Sequence, residues 1–264
     1  MIIGKSKREL EKMRAAGRLV AEVREELRRM VRPGVTTLEL DMAAEKMIRD
    51  AGALPTFKGY HGFPFSICAS VNEQVVHGFP SAYELKEGDI FSLDCGATLG
   101  GYVGDTATTV PVGKVSDELL RLIRVAEECL ERAINQCWPG KHLGDIGWAV
   151  QELAEAHGYG IVRDYVGHGI GRKMHEDPQI PNYGKPGTKD KIYAGYVFAI
   201  EPMINMGTHQ TKTLKDGWTV VTLDGRPSAH VEHTVAVTEE GPEVLTRLAE
   251  AADPQPQQAA PASA

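Results

Sequence analysis

The chain lacks any cysteine pair at redox or metal-finger spacing. Its four cysteines, Cys68, Cys95, Cys129 and Cys137, form no CxxC, and the last two lie two helical turns apart, too far to bridge. A disulfide framework is thereby excluded, and a reduced, cytoplasmic protein is expected. No apolar run approaches the length of a membrane span, and the opening MIIGKSKRELEKM has no apolar segment of secretory type. Lys and Arg number 29 against 36 Asp and Glu, a formal charge of -7, so the basic stripe of a nucleic-acid binder is missing. HExxH and GxSxG are absent, and the glycines of VGHGIG do not spell GxGxxG. These absences set aside the helical zinc protease, the serine-hydrolase elbow and a phosphate-binding loop.

What is present is enough apolar material, 42% of 264 residues, for one large domain or two tightly fused halves. Ser6 to Met30 carries Leu10, Met13, Val20, Val23, Leu27 and Met30 on one helical stripe, ended by Pro33-Gly34. A second helix, capped by Thr36 or Thr37, closes at Gly52. The same layout recurs after Ser116, with Pro139-Gly140 and Gly158 in the corresponding places. At a constant offset Leu40 maps to Ile146, Ala43 to Ala149, Ala44 to Val150 and Met47 to Leu153. An internal duplication is expected: halves of about 6–112 and 113–248 in one catalytic domain, 1–248, followed by a disordered Ala/Pro/Gln tail, 249–264. Strands are expected over Ile67 to Val76, Gly88 to Val110 (a hairpin), Gly160 to Tyr165, Tyr196 to Asn205, Trp218 to Leu223 and His230 to Val237. Helices bunched before long strand runs predict an α+β fold with a largely antiparallel sheet.

The hairpin carries the chemistry. With Leu99 and Gly100 as its turn, Asp94 lies directly opposite Asp105; a slip of one residue leaves them diagonal neighbours. The flanking Ile90, Phe91, Leu93, Cys95, Tyr102 and Val103 predict burial, where two carboxylates need a cation between them. Glu201 sits in YVFAIEPMIN with apolar residues on both strand faces and needs a partner for the same reason. Alternation puts Glu232 on the face of His230 and Thr234, which leaves a solvent-facing reading open for it. His168, set among glycines, suits a crowded site. Four carboxylates and one imidazole without thiolates describe a paired divalent site for Mn, Fe, Co or Zn, of the kind that activates water and polarises a carbonyl.

The blocks NEQVVHG, LDCGATLGGYVGDTATT, VGHGIGRKMHEDPQIPNYG, AIEPMIN and VEHTVAVTEEG, in that order, resemble those of the type I methionine aminopeptidases of pita-bread fold, from the first helix to about Thr246. The resemblance implies pseudo-twofold helix-helix-strand halves around a curved antiparallel sheet. It implies two divalent ions held by Asp94, Asp105, His168, Glu201 and Glu232, with Asp105 and Glu232 bridging. It also implies catalytic roles for His77, His175 and Glu201, and a methionine pocket at Tyr60, Phe63, Cys68, Phe198 and Trp218 with His61 at its rim. The implied activity is removal of the initiator methionine from nascent chains with a small second residue. The implied setting is a monomer near the ribosome exit, with neither nucleic acid as substrate nor membrane as partner. Two other readings fit parts of the pattern. Prolidases and Xaa-Pro aminopeptidases share the ligand set but usually carry a substantial N-terminal domain. A metal-free binding protein of the same fold predicts lost ligands, whereas all five positions here can coordinate.

Overall fold

A computed structural model describes residues 2–248; the tail expected at 249–264 lies outside the described residues. Four α-helices form among the described residues: α1 (Lys7–Met30), α2 (Thr37–Asp50), α3 (Asp117–Ile134) and α4 (Leu143–Ala156). Ser6 and Thr36 close reciprocal capping boxes with Glu9 and Glu39, satisfying backbone donors that would otherwise be orphaned. The second helix of each half keeps the offset read in the sequence, Thr37 matching Leu143 and Asp50 matching Ala156. Gly34 and Gly140, both at positive φ, donate their N–H groups to Leu85 and Ile192 at 2.8 and 2.9 Å, so each helix pair is entered through the same turn.

The strands are β1 (Leu54–Pro55), β2 (Ile67–Val71), β3 (Gln74–Val76), β4 (Ile90–Leu99), β5 (Tyr102–Pro111), β6 (Gly160–Ile161), β7 (Gly167–Gly169), β8 (Glu176–Ile180), β9 (Val197–Ile200), β10 (Met203–Asn205), β11 (Thr211–Thr213), β12 (Val220–Thr222), β13 (Ser228–His230), β14 (Glu232–Thr238) and β15 (Gly241–Val244). The main sheet runs β1-β4-β5-β14-β9-β7-β8, with β2 also on β4 and β15 also on β14. Every pairing is antiparallel. Two three-stranded sheets, β13-β10-β6 and β11-β12-β3, complete the fold.

Each helix pair covers its own strands. Val20, Val23 and Leu27 of α1 and Leu40, Ala44 and Ile48 of α2 pack on Phe91, Leu93, Cys95 and Ala97 of β4. Leu122, Val125 and Cys129 of α3 and Ile146, Val150 and Leu153 of α4 pack on Phe198 and Ile200 of β9 and Val235 and Val237 of β14. Because strand side chains alternate, the helices claim one parity and leave the other, with Asp94, Asp105 and Glu232, for the opposite face. The close approach of α1 to β5 depends on Gly104, where a Cβ would lie 2.8 Å from the Ala16 carbonyl group.

Several expected strands are shorter than the sequence suggests. The stretch from Ile67 to Val76 is broken after Val71 by Asn72, whose φ is 54°. The stretch from Tyr196 to Asn205 is broken at Glu201-Pro202, and that from His230 to Val237 is broken at Val231. Proline has no N–H for the ladder, so Glu201 leaves the strand at the point where its side chain is needed. The hairpin turn is Gly100-Gly101, at φ 58° and 80°, rather than Leu99-Gly100; a two-residue turn with positive φ twice takes glycine most easily.

Candidate metal centre and adjoining cleft

The turn shift sets the register of the site. Asp94 pairs with Ala107 and Asp105 with Gly96, so the two aspartates are diagonal neighbours on one face rather than directly opposed. Ala107 in turn pairs with Glu232, which places Asp94, Ala107 and Glu232 in one row across β4, β5 and β14. A second row carries Thr234, Ala199 and His168 across β14, β9 and β7. The rows are bolted together by side chains. Asp105 N–H donates to Thr234 Oγ1 at 3.0 Å, Thr234 Oγ1 donates to the Asp105 carbonyl at 2.8 Å, and Thr106 Oγ1 donates to the Glu232 carbonyl at 2.9 Å. Small residues between the acids keep the face open. At Gly96 a Cβ would sit 2.6 Å from the Phe57 ring and 3.3 Å from Asp105 Oδ1.

Asp105, His168 and Glu232, all buried, each bring one ligand atom to within 4.8 Å of the others. Glu201 lies alongside, its Oε1 3.5 Å from His168 Nε2 and its Oε2 3.6 Å from His230 Nε2. Glu232 is more buried than Glu201, so the solvent-facing reading left open for it is wrong: the face opposite the helices is the floor of a cleft. Asp94 Oδ1, Asp105 Oδ1, Glu232 Oε1 and His230 Nε2 are buried without hydrogen-bond partners. Among the described residues no Lys or Arg pairs with these acids; Glu201 alone has ion-pair contacts, to His168 and His230. Burial first, then the charge of Asp105, pushes Asp94 and Glu201 well above the carboxylate range. Glu232 is raised in the same way, and burial lifts Asp105 to about 7. Burial also lowers His168 to about 4, which leaves a neutral imidazole suited to ligation. Buried acids with unused oxygens, a neutral imidazole and no protein cation fit a divalent ion.

The centre opens into a cleft of about 410 Å³ lined by Phe57, Tyr60, His61, Phe63, Cys68, His77, Asp94, Met174, His175 and Trp218. Phe63 meets the Trp218 ring edge-on at 5.1 Å, and Cys68 pairs with Asp94 between β2 and β4. The 3-10 turn Tyr60–Gly62 delivers Tyr60 and His61 to the rim, with Gly59 just before it and Gly62 at its end at φ 88° and 90°. Tyr60 Oη lies 2.7 Å from His175 Nδ1, and the His175 ring stands 4.2 Å from that of His168. His77, at φ 59°, faces Trp218 at 6.3 Å; burial lowers it to about 4.

Of the site residues expected from sequence, Phe198 alone falls elsewhere. It is fully buried in the core under α3 and α4, because it has the parity of Ile200 and not that of Ala199 and Glu201. Phe57 and Met174 line the cleft instead, and His230 joins the centre. The sequence signals were weak for two of them, Met174 directly preceding His175 and His230 sharing the strand parity of Glu232, and Phe57 had none.

The family model for metallopeptidase family M24 matches residues 11–239. The chain belongs to that family. Within it, the chain is 54% identical over 248 residues to a methionine aminopeptidase of Clostridium perfringens, covering 94% of this chain and 100% of the relative. A second relative, methionine aminopeptidase 1 of Bacillus subtilis, is 52% identical over 94% of this chain and 100% of its own length. The crystal structure of the methionine aminopeptidase from Rickettsia prowazekii superposes with a TM-score of 0.92 at 44% identity, covering 94% of this chain and 100% of that one. The α+β pita-bread fold expected from the sequence is thus the fold of this M24 chain.

Proposed function

We propose that this chain is a metal-dependent methionyl aminopeptidase that removes the initiator methionine from nascent proteins. The observation that carries the reading is Asp94: it belongs to the carboxylate centre and also lines the apolar cleft, so a side chain seated there presents its carbonyl to the centre. Asp94, Asp105, His168, Glu201 and Glu232 would hold two divalent ions, Co, Mn, Fe or Zn. Bound ions supply Lewis acidity and water of lowered pKa.

The chain's own groups do the rest. Phe57, Phe63, Cys68, Met174 and Trp218 form a narrow, sulfur-rich wall that suits an unbranched thioether. Glu201 takes the proton of the attacking water and delivers it to the departing amide nitrogen. His77 stands beside the scissile amide. His175, braced at Nδ1 by Tyr60, turns its other nitrogen to the substrate carbonyl. A free α-amine beside the acids restricts cleavage to the first residue, and a small second residue avoids the rim at His61 and Tyr60. One catalytic domain, 1–248, built from halves 6–112 and 113–248, suffices, acting as a monomer on chains leaving the ribosome in the cytoplasm. No helix among the described residues is long and apolar enough to cross a membrane.

The test is to strip the protein with chelator, add back Mn, Co, Fe and Zn singly, and follow release from Met-Ala-Ser, Leu-Ala-Ser and Ala-Pro-Ala. Ion-dependent release from the first peptide alone is expected. Cleavage of the Xaa-Pro peptide would move the chain to the prolidase branch, and no release with any ion would leave a binding protein.

A further inference from the structure

His230 belongs to neither the ligand set nor the cleft lining, yet it is buried beside both. Its backbone is pinned: the N–H donates to Thr109 Oγ1 at 2.9 Å, and Thr109 Oγ1 donates to its carbonyl at 2.7 Å. On the other side it pairs with Met203 of β10, just past the break at Glu201-Pro202. The ring is 2% exposed as part of the residue, and Nε2 has no hydrogen-bond partner. A polar ring held this firmly with an unused nitrogen calls for a partner nearby. Glu201 Oε2 is at 3.6 Å, and the other oxygen of that carboxylate is 3.5 Å from His168 Nε2. Glu201 therefore hangs between two imidazoles, only one of which belongs to the ligand set.

We propose that His230 is a positioning residue that donates its Nε2–H to Glu201 Oε2, so that Oε1 is the oxygen turned toward His168 and the ion. The inference rests on the reading of Glu201 as both ligand and proton carrier. Glu201 follows directly on the end of β9, with Pro202 next to it, so the ladder does little to orient its side chain. A donor fixed on β13 settles which oxygen serves which task. Removing partners of this kind from behind a metal ligand costs roughly ten- to a hundredfold in ion affinity or activity.

The experiment compares His230→Leu, which keeps the volume and removes the donor, with His230→Gln, which restores an N–H donor. Ion binding to chelator-stripped protein is measured by calorimetry with Mn and Co, alongside the visible spectrum of the Co form and kcat and KM for Met-Ala-Ser. The Leu variant is expected to lose about ten- to a hundredfold in ion affinity, with an altered Co spectrum. It should also lose kcat at little-changed KM, and the Gln variant should recover most of both. Equal losses in both variants would overturn the inference, since they would mean a direct ligand or a purely packing role; so would wild-type ion affinity in the Leu variant. The ion-affinity comparison holds whether or not the wild-type protein releases methionine. Failure of the proposed activity and failure of the His230 assignment therefore give different results.

Discussion

Four acids held on one sheet face without a protein cation are unfavourable by themselves, and the proton makes good what an ion would otherwise supply. Asp105, lifted by burial to about 7, still binds its proton in the folded, ion-free chain at pH values where the unfolded chain has released it. Its contribution to the stability of the ion-free protein therefore falls as pH rises from about 4, the usual carboxylate value, through 7. His77 and His168, both lowered to about 4, act in the opposite sense: their contribution is lost as pH falls below 6.5. For ion binding the acids decide, because the carboxyls must shed protons to ligate. Mn affinity is expected to fall steadily from pH 8 to pH 6, with more protons released per ion at the lower pH. Calorimetry in buffers of different ionisation enthalpy measures both. Glu201→Ala is expected to lower kcat by about a hundredfold or more and to weaken ion binding. His77→Ala should lower kcat while ion affinity, read by calorimetry, stays at the wild-type value; loss of the ion would place His77 among the ligands.

The elements set these residues by packing and register more than by local preference. β4 and β5 keep ten residues each in continuous pairing because one parity is claimed by α1 and α2, and a slip would bury the acids under the helices. Gly104 lets α1 come close, and any Cβ there meets backbone atoms of Ala16 and Gly17 that cannot swing away. Gly104→Ala is expected to destabilise by about 1–3 kcal/mol through overpacking, read as a lower Tm with or without ion. Gly96→Ala should differ in kind. Its Cβ would press on Phe57 and crowd Asp105, so ion affinity and methionine selectivity should both fall in calorimetry and peptide assays.

At the scale of the whole molecule, the ion should act as a staple between the β4-β5 hairpin and the strands beyond it. Asp94 and Asp105 come from β4 and β5, and His168, Glu201 and Glu232 from β7, the end of β9 and β14, while β5 and β14 pair at only two registered positions. An ion that binds only the folded chain stabilises it by mass action, by about 2.7 kcal/mol at a hundredfold excess over its Kd. Chelation is therefore expected to lower Tm and Mn to restore it. Alanine in place of both Asp105 and Glu232 should abolish the ion dependence while leaving a folded protein, as circular dichroism would show.

The sequence alone determined the four helices and the family, and it named the acids and the histidine that the fold brings together. Periodicity, caps and composition act over a few residues, and the five blocks, four of which carry Asp94, Asp105, His168, Glu201 and Glu232, are specific enough to name the family. Tertiary structure decided what depends on distant partners. A one-residue difference at Gly100-Gly101 turned Asp94 and Asp105 from facing to diagonal neighbours, because the turn that closes depends on two consecutive positive φ values. Phe198 went to the core and Met174 to the cleft, because a strand's inner and outer parity has no meaning until the helices dock. Glu232 proved more buried than Glu201 because the face away from the helices is itself enclosed. The place of His230 beside Glu201 could be seen only in space: the two lie 29 residues apart, and it is the β10–β13 pairing that brings them together.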